Sequence, residues 1–475
     1  VSTSIGLLAQ ELAQQNPWWR DPSWARSDPD LVDVRRSHLV YRSGILADLE
    51  PGGLFILRGP RRVGKTVAVK QAIEDLLDQG VPPTAIVRVA ADGWAAKDLR
   101  TLTQRTPIPS PPDGTQRYWF IDEISAVTGA WDQQVKWLRD NDPAFHQATV
   151  VLTGSNATAL AEAAGALAGR RGIGARLNRS LLPMGFRTFA ATILRGDVPP
   201  TEHLAPADLA SATAKDAYDA CLPWINQLVG AWDLYLLYGG FPVSVAAATS
   251  GQGVPDRFVE DLFGVIFNDA FRTSRLSPVT EMALLERLWA GLASPANLAR
   301  VAQTIGASTD AVVRHVEYLR DAHLLWSCPQ RAADSWLPRP RTQEKLYAID
   351  PLIARLVHLR NPARSDIDPT VLSEMQLGLA VRRRVIADRP QADHDAFLFY
   401  ERTPARKEID FVSEELGGAA IESKYTETGR WRSEAATVNT SPWHGILATR
   451  NVLDTSDDDS AWAVPTAFLA WLLDT

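Results

Sequence analysis

The stretch that most narrows the possible folds is GLFILRGPRRVGKTVAVKQAIEDLL, residues 53–77. An apolar run leads into a Gly-rich loop, and apolar positions at helical spacing follow, so the pattern predicts strand, loop and helix. The loop Gly59-Pro60-Arg61-Arg62-Val63-Gly64-Lys65-Thr66 fits G-x-x-x-x-G-K-[ST] in the context that this motif requires. Gly59 and Gly64 let the backbone curl so that its N–H groups face phosphate, and the helix N-terminus adds a dipole that favours an anion. Lys65 is expected to reach the β- and γ-phosphates, and Thr66 to hold Mg²⁺. ATP and Mg²⁺ are the expected cofactors.

The partners of such a loop follow in sequence. RYWFIDEIS predicts a buried strand ending in Asp122-Glu123. Asp122 is placed to hold the metal shell and Glu123 to polarise the attacking water, a division that hydrolysing NTPases need. The next strand, ATVVLTGSNA, ends in Ser155 and Asn156, polar groups suited to the γ-phosphate or its water. Arg170 and Arg171 lie just beyond, where an arginine finger would serve a neighbouring subunit. The competing reading has these arginines facing DNA or solvent.

A chain of 475 residues exceeds one core, so two to four domains are expected. It holds no apolar run of about 18 residues, so no membrane span is predicted. Its start, VSTSIGLLAQELAQQNPWWR, reads as a helix rather than a leader. Two cysteines without ligand spacing exclude a disulfide scaffold or a zinc ribbon and leave the cytoplasm as the default. Net charge is −7, which excludes a uniformly basic coat but not a local basic face. One such window, residues 163–196, holds Arg170, Arg171, Arg176, Arg179, Arg187 and Arg195 and no acid.

Together the segments GPRRVGKT, WFIDEISAVTGAW, VVLTGSNA, LAGRR, LLPMGFRTF and YGGFP resemble prokaryotic AAA-plus-type ATPases related to the archaeal-type ATPases. The early NPWWR and the later KLYAIDP match the same pattern. These relatives carry a winged helix and a nuclease-like C-terminal half. The resemblance implies an oligomerising ATPase, with DNA as its substrate and ATP between subunits. Residues 215–275 then read as the helical lid, broken by Tyr238–Pro242, and an acidic insert begins at Asp197.

Residues 281–329 predict helix, helix, turn, helix and strand, a winged helix. The third helix, capped by Ser308, offers Thr309, Arg314, His315 and Arg320, and the wing offers Arg331, Arg339 and Arg341. Such a module reads DNA or binds protein, and the mild basic excess leaves both open.

After a Pro-rich linker, a helix bearing Glu374 precedes three short strands, AFLFYERT, KEIDFVSEE and GAAIESKYT. Helix, meander, helix and strand is the order of the PD-(D/E)xK nuclease core. Strand alternation puts Glu422 and Lys424 on one face, with Asp410 on the adjacent strand. Two carboxylates would hold Mg²⁺, Lys424 would orient a water, Glu374 would assist from the helix, and Glu408 is a spare ligand. The same residues would equally serve as a salt-bridged scaffold.

The expected fold is therefore α/β: an N-terminal arm (1–35), a P-loop AAA-plus core (36–195), a helical lid with insert (196–275), a winged helix (276–350), a linker (351–368) and a restriction-endonuclease-like domain (369–475). The expected function is an oligomeric, ring-forming, DNA-dependent ATPase acting on duplex or branched DNA. An ATP-dependent nuclease and a nucleotide switch for protein partners are the alternatives.

Overall fold

The computed structural model describes residues 5–474, except 38, 155–156, 173, 175, 275, 388–396, 404, 406, 428–429 and 458–459. The chain forms two compact units, Val1–Leu182 and Pro183–Thr475.

The first unit is built on five parallel strands: β1 Leu54–Arg58, β2 Ile86–Ala90, β3 Tyr118–Asp122, β4 Thr149–Thr153 and β5 Asn178–Ser180. Their order is β2-β3-β4-β1-β5, so the strand that leads into the Gly-rich loop lies inside the sheet. β1 and β4 are buried at every position, as strands covered on both faces by crossover helices must be. Leu54, Ile56, Val87, Val89, Ile121, Val150 and Leu152 form the sheet's share of the core. Each such side chain contributes roughly 1.5–3 kcal/mol when fully buried.

The edge strand β2 exposes backbone groups that need cover, since an open edge invites aberrant pairing. The segment after the first helix, Ile5–Gln15, supplies it. Asn16 donates from Nδ2 to the Arg88 carbonyl at 2.8 Å and accepts the Arg88 amide at 2.6 Å. The Gln15 side chain accepts the Ala90 amide, and both Trp18 and Trp19 donate their indole N–H to the Ile86 carbonyl. The NPWW motif is thus an edge cover, and Leu8 and Leu12 of the preceding helix join the core. The residues expected as an arm are part of the first unit.

The second unit opens with helices Phe186–Ile193, Ala212–Cys221, Ile225–Tyr238, Pro242–Thr249 and Asp256–Ser274. The insert after Asp197 is partly buried: Leu209, Ala214, Tyr218 and Cys221 are interior, and the Leu204 amide donates to the Leu472 carbonyl. Three helices follow, Pro278–Trp289, Leu298–Ile305 and Thr309–Asp321, then an antiparallel ribbon of β6 Leu325–Cys328 and β7 Lys345–Ala348. Ser308 accepts the Ala311 amide as the expected N-cap.

Residues 351–368 depart from the expected linker. Pro351–Arg360 is a helix whose first six residues are buried. Its cap, Asp350, accepts the Leu352 amide at 2.8 Å and the Gly240 amide at 2.7 Å. Gly240 also accepts the Met184 amide, and a Cβ at residue 240 would run into Met184 backbone. Tyr238–Pro242, Lys345–Pro351 and the LLPMGF segment, far apart in sequence, therefore meet at one buried junction.

The last element is a five-stranded sheet, order β12-β11-β10-β9-β8. β8 Phe399–Arg402, β9 Glu408–Val412 and β10 Ala419–Ser423 form an antiparallel meander; β11 His444–Thr449 and β12 Trp462–Pro465 add in parallel. The helix Pro369–Ala387 precedes it, and the fully buried helix Thr466–Leu473 ends the chain. Neither β12 nor that last helix is foreseen in the sequence. No helix among the described residues is long and apolar enough to cross a membrane.

Candidate functional site

At the end of β1 the loop turns on two glycines in positive φ, Gly59 at 149° and Gly64 at 102°. A Cβ at residue 59 would run into the Leu181 carbonyl oxygen, so space and backbone angle both demand glycine there. Val63 is buried and pins the loop, while Arg61 and Arg62 are exposed. Lys65 opens the helix Lys65–Asp78. Its Nζ donates to the carbonyls of Gly59 at 2.9 Å and Pro60 at 3.0 Å. Burial pulls its pKa down to about 8, against the opposing pull of Glu123 and Asp122. Thr66 follows in the first helical turn, half-buried.

Asp122 ends β3. The register Ile121↔Leu152 sets Thr153, the last residue of β4, beside it. The Thr153 hydroxyl donates to Asp122 Oδ1 and accepts the Glu123 amide at 3.3 Å. Arg88, from β2, donates to Asp122 Oδ2 at 2.8 Å. Both carboxylate oxygens are thus oriented by protein donors. Glu123 is half-buried and adopts φ 54°, a left-handed conformation that costs a non-glycine residue about 1–3 kcal/mol and that clusters at functional sites.

Sequence reasoning missed Thr153 and Arg88. Their signal is visible in retrospect: Arg88 is a polar residue inside the otherwise apolar IVRVA, and Thr153 ends the apolar run of TVVLT. Ser155 and Asn156, the polar residues singled out instead, lie outside the described residues. Of the two finger arginines, Arg170 is partly exposed and pairs through Nε with Asp140 at 2.7 Å. Arg171 is buried, donating to the Leu54 carbonyl at 3.1 Å and to the Leu177 carbonyl. Its guanidinium ties β1 to the approach of β5. That corrects the reading of Arg171 as a finger, because a finger must point outward.

The donor set fits a Mg²⁺-nucleotide. The cradle is shaped by glycine, a buried ammonium lies against its loop carbonyls, and the Thr66 hydroxyl and Asp122 carboxylate are hard oxygen groups suited to a metal. Residues 52–190 match the AAA domain family. They form an AAA-type P-loop ATPase domain. Residues 230–363 match a domain of unknown function (DUF8612). No curated protein matches the chain. Among solved structures, the chain is similar to a Walker-type ATPase of Pyrococcus abyssi, at 14% identity over 68% of this chain and 97% of that one, with a TM-score of 0.38. It is also similar to the ORC2 protein of Aeropyrum pernix, at 12% identity over 70% and 93%, TM-score 0.35. A RuvB variant of Thermotoga maritima matches at 15% identity over 66% and 90%, TM-score 0.28.

Beyond the ATPase domain, the second unit gathers the other candidate residues. Glu374, from the helix Pro369–Ala387, Asp410 from β9, and Glu422 and Lys424 around the end of β10 do converge. A residue that sequence reasoning left out stands in their midst. Lys345, from β7, places its Nζ 2.8 Å from Asp410, 3.1 Å from Glu374 and 3.5 Å from Glu408. It is only 3% exposed. Burial alone would lower its pKa, but Asp410, Glu374 and Glu408 outweigh burial and raise it above the ordinary range. Tyr347, two residues on, donates to Glu374 at 2.7 Å. The Asp410 Oδ2 accepts the Ser423 amide at 2.9 Å, and Lys424 pairs with Glu422 at 2.6 Å. Burial, then the charge of Asp410, pushes Glu374 and Glu422 each up to about 7. Among the described residues, no group of three or more His, Cys, Asp or Glu is arranged to hold a metal ion.

The expected DNA-reading surface is only partly available. On the helix Thr309–Asp321, Thr309 and Arg314 are exposed, and Arg320 pairs with Glu344 at 3.6 Å. His315 is fully buried, 4.0 Å from the equally buried Glu281. In the expected wing, Arg339 and Arg341 are exposed. Arg331 instead pairs with Glu401 of β8 at 3.0 Å and packs on the rings of Trp336 and Trp443. The segment after β6 is joined to β8 through the bridge Gln330↔Tyr400.

Proposed function

We propose that the protein is a cytoplasmic, oligomeric, DNA-dependent ATPase whose hydrolysis drives remodelling or translocation of duplex or branched DNA. The hydrolytic half of this reading is carried by one observation: Thr153 joins Asp122 and Glu123 in a single hydrogen-bonded unit at the end of the strand beside the P-loop strand. Asp122 is oriented as a ligand, and Glu123 is left half-exposed to take up a proton from attacking water. Lys65, which donates to the loop carbonyls here, would contact the phosphates of ATP, and Thr66 and Asp122 would hold the metal. Bound Mg²⁺ would neutralise phosphate charge. Arg170, the outward arginine, serves the adjacent subunit of a ring.

The DNA half rests on the capped helix Thr309–Asp321 and on exposed Arg300, Arg314, Arg339 and Arg341, which suit phosphate contacts. A second reading, a nucleotide switch for protein partners, is favoured by the attachment of the segment after β6 to β8, which withdraws Arg331 from any duplex.

The test is the steady-state ATPase rate without DNA and with single strands, linear duplex and a four-way junction, the same DNAs being run on a gel for cleavage. Stimulation by one form, lost in Arg314→Ala, supports the DNA reading. A flat response to every form overturns it in favour of the protein-partner switch. Mg²⁺-dependent cuts lost in Asp410→Ala would make the protein a nuclease.

A further inference from the structure

The second unit buries a carboxylate cluster large enough to demand a cation. Glu374, Glu408, Asp410 and Glu422 come from one helix and two strands, and Asp410 and Glu422 are 6% and 3% exposed. Buried carboxylates persist as charges only when a cation or several hydrogen bonds compensate them. In a metal site of this kind a divalent ion is that cation. Here the compensating charge is covalently attached, since the Lys345 ammonium touches three of the four carboxylates at 2.8–3.5 Å. It donates hydrogen bonds to Asp410 and Glu374 and stands at ion-pair distance from Glu408.

We propose that Lys345 is the resident cation of this cluster, taking the place of a divalent metal and excluding one, so that the cluster is an ionic weld rather than a nuclease centre. The geometry gives the weld a specific span. It joins β7 of the ribbon to β9 of the C-terminal sheet and to the helix Pro369–Ala387. The stacked pair Trp326–Tyr347, with Tyr347 beside Phe411, packs around the same point. The ribbon and the sheet behind it therefore move as one body, and any contact made by the ribbon's wing is transmitted to the sheet. Lys424 is the second cation, paired with Glu422 and more exposed at 39%. It balances Glu422 instead of activating water.

The inference does not depend on the DNA reading, and its readouts are metal occupancy and melting, not ATP turnover. The experiment is a Mn²⁺ titration followed by electron paramagnetic resonance on the full chain without nucleotide, paired with thermal melting. Wild type and Asp410→Asn are expected to bind Mn²⁺ alike, and Mn²⁺ leaves the wild-type melting point unmoved. Lys345→Met is expected to melt lower, to gain one Mn²⁺ per chain and to recover part of its melting point in Mn²⁺. Lys345→Met/Asp410→Asn loses that ion. A wild-type Mn²⁺ that disappears in Asp410→Asn overturns the proposal. So does a folded Lys345→Met that gains no ion. Where Lys345→Met does not fold, the comparison of wild type with Asp410→Asn decides alone.

Discussion

Two acidic centres stand on strands in this molecule, Asp122-Glu123 at the end of β3 and Asp410-Glu422 within β9 and β10, and their surroundings differ. At Asp122-Glu123 the lysine of the site, Lys65, makes its hydrogen bonds to loop carbonyls and belongs to a loop shaped by glycine. Asp122 is braced by Thr153 and Arg88, and Glu123 stays half-exposed. At Asp410-Glu422 the cation lies inside the carboxylates and is almost wholly buried. The lesson is that carboxylates on adjacent strands do not define chemistry. What the lysine binds, loop carbonyls or the carboxylates themselves, separates the phosphate cradle from the site that holds.

The sharpest way to break this comparison is to remove each lysine. Lys345→Met strands several buried carboxylates, and breaking one partner of a buried pair costs about 3–5 kcal/mol. Denaturant unfolding should show that loss, with ATP turnover of whatever remains folded nearly intact. Lys65→Ala should do the reverse. Turnover is expected to fall by about 10²–10³, as for loss of one electrostatic contact to a developing charge, while the unfolding midpoint stays near wild type. Equal stability losses in the two variants would erase the distinction.

A smaller effect tests the bracing of the acid pair. Thr153→Val keeps shape and removes one hydroxyl, leaving the Glu123 amide and Asp122 Oδ1 short of a partner, at about 1–3 kcal/mol. Both stability and kcat should drop, with KM for ATP little changed. A variant with unaltered kcat would show that Thr153 is only a packing residue.

A further effect concerns another buried acid, one that faces a histidine. Glu281 and His315 face each other in the interior, and burial pushes Glu281 up to about 7 and His315 down to about 4. Both are therefore neutral near pH 5.5. The folded state holds an extra proton on Glu281 between about 4.5 and 7, so that group loses stability as pH rises. It lacks a proton on His315 between about 4 and 6.5, so that group gains stability as pH rises. The two slopes cancel over the shared range. Glu281→Gln should unmask the His315 slope, with stability climbing from pH 4 to 6.5 by up to about 1.4 kcal/mol per unit. A flat profile in Glu281→Gln would remove the argument that burial controls His315.

The first unit was largely legible because its signals are contiguous. Eight residues in a row specify the phosphate loop, and two adjacent acids close the next strand. Even so, Thr153 and Arg88 escaped notice, because what makes them functional is the register of β4 and β2 on β3. The second unit was legible as an order of elements but not as a set of contacts. His315 was expected on a DNA-facing surface and is interior, since three helices pack around it. The first ten residues of the stretch expected as a linker form a helix, Pro351–Arg360, capped by Asp350, which also accepts the Gly240 amide.

The sequence by itself determined the phosphate loop, the acid pair behind it and the clustering of Glu374, Asp410, Glu422 and Lys424. Local patterns suffice there, because turn geometry and strand alternation act over a few residues. Only the tertiary structure decided what neutralises that cluster. Lys345 lies 29 residues from Glu374 and 65 from Asp410 along the chain. No local pattern encodes that meeting; it follows from packing the ribbon against the sheet, where burial makes a nearby ammonium a necessity.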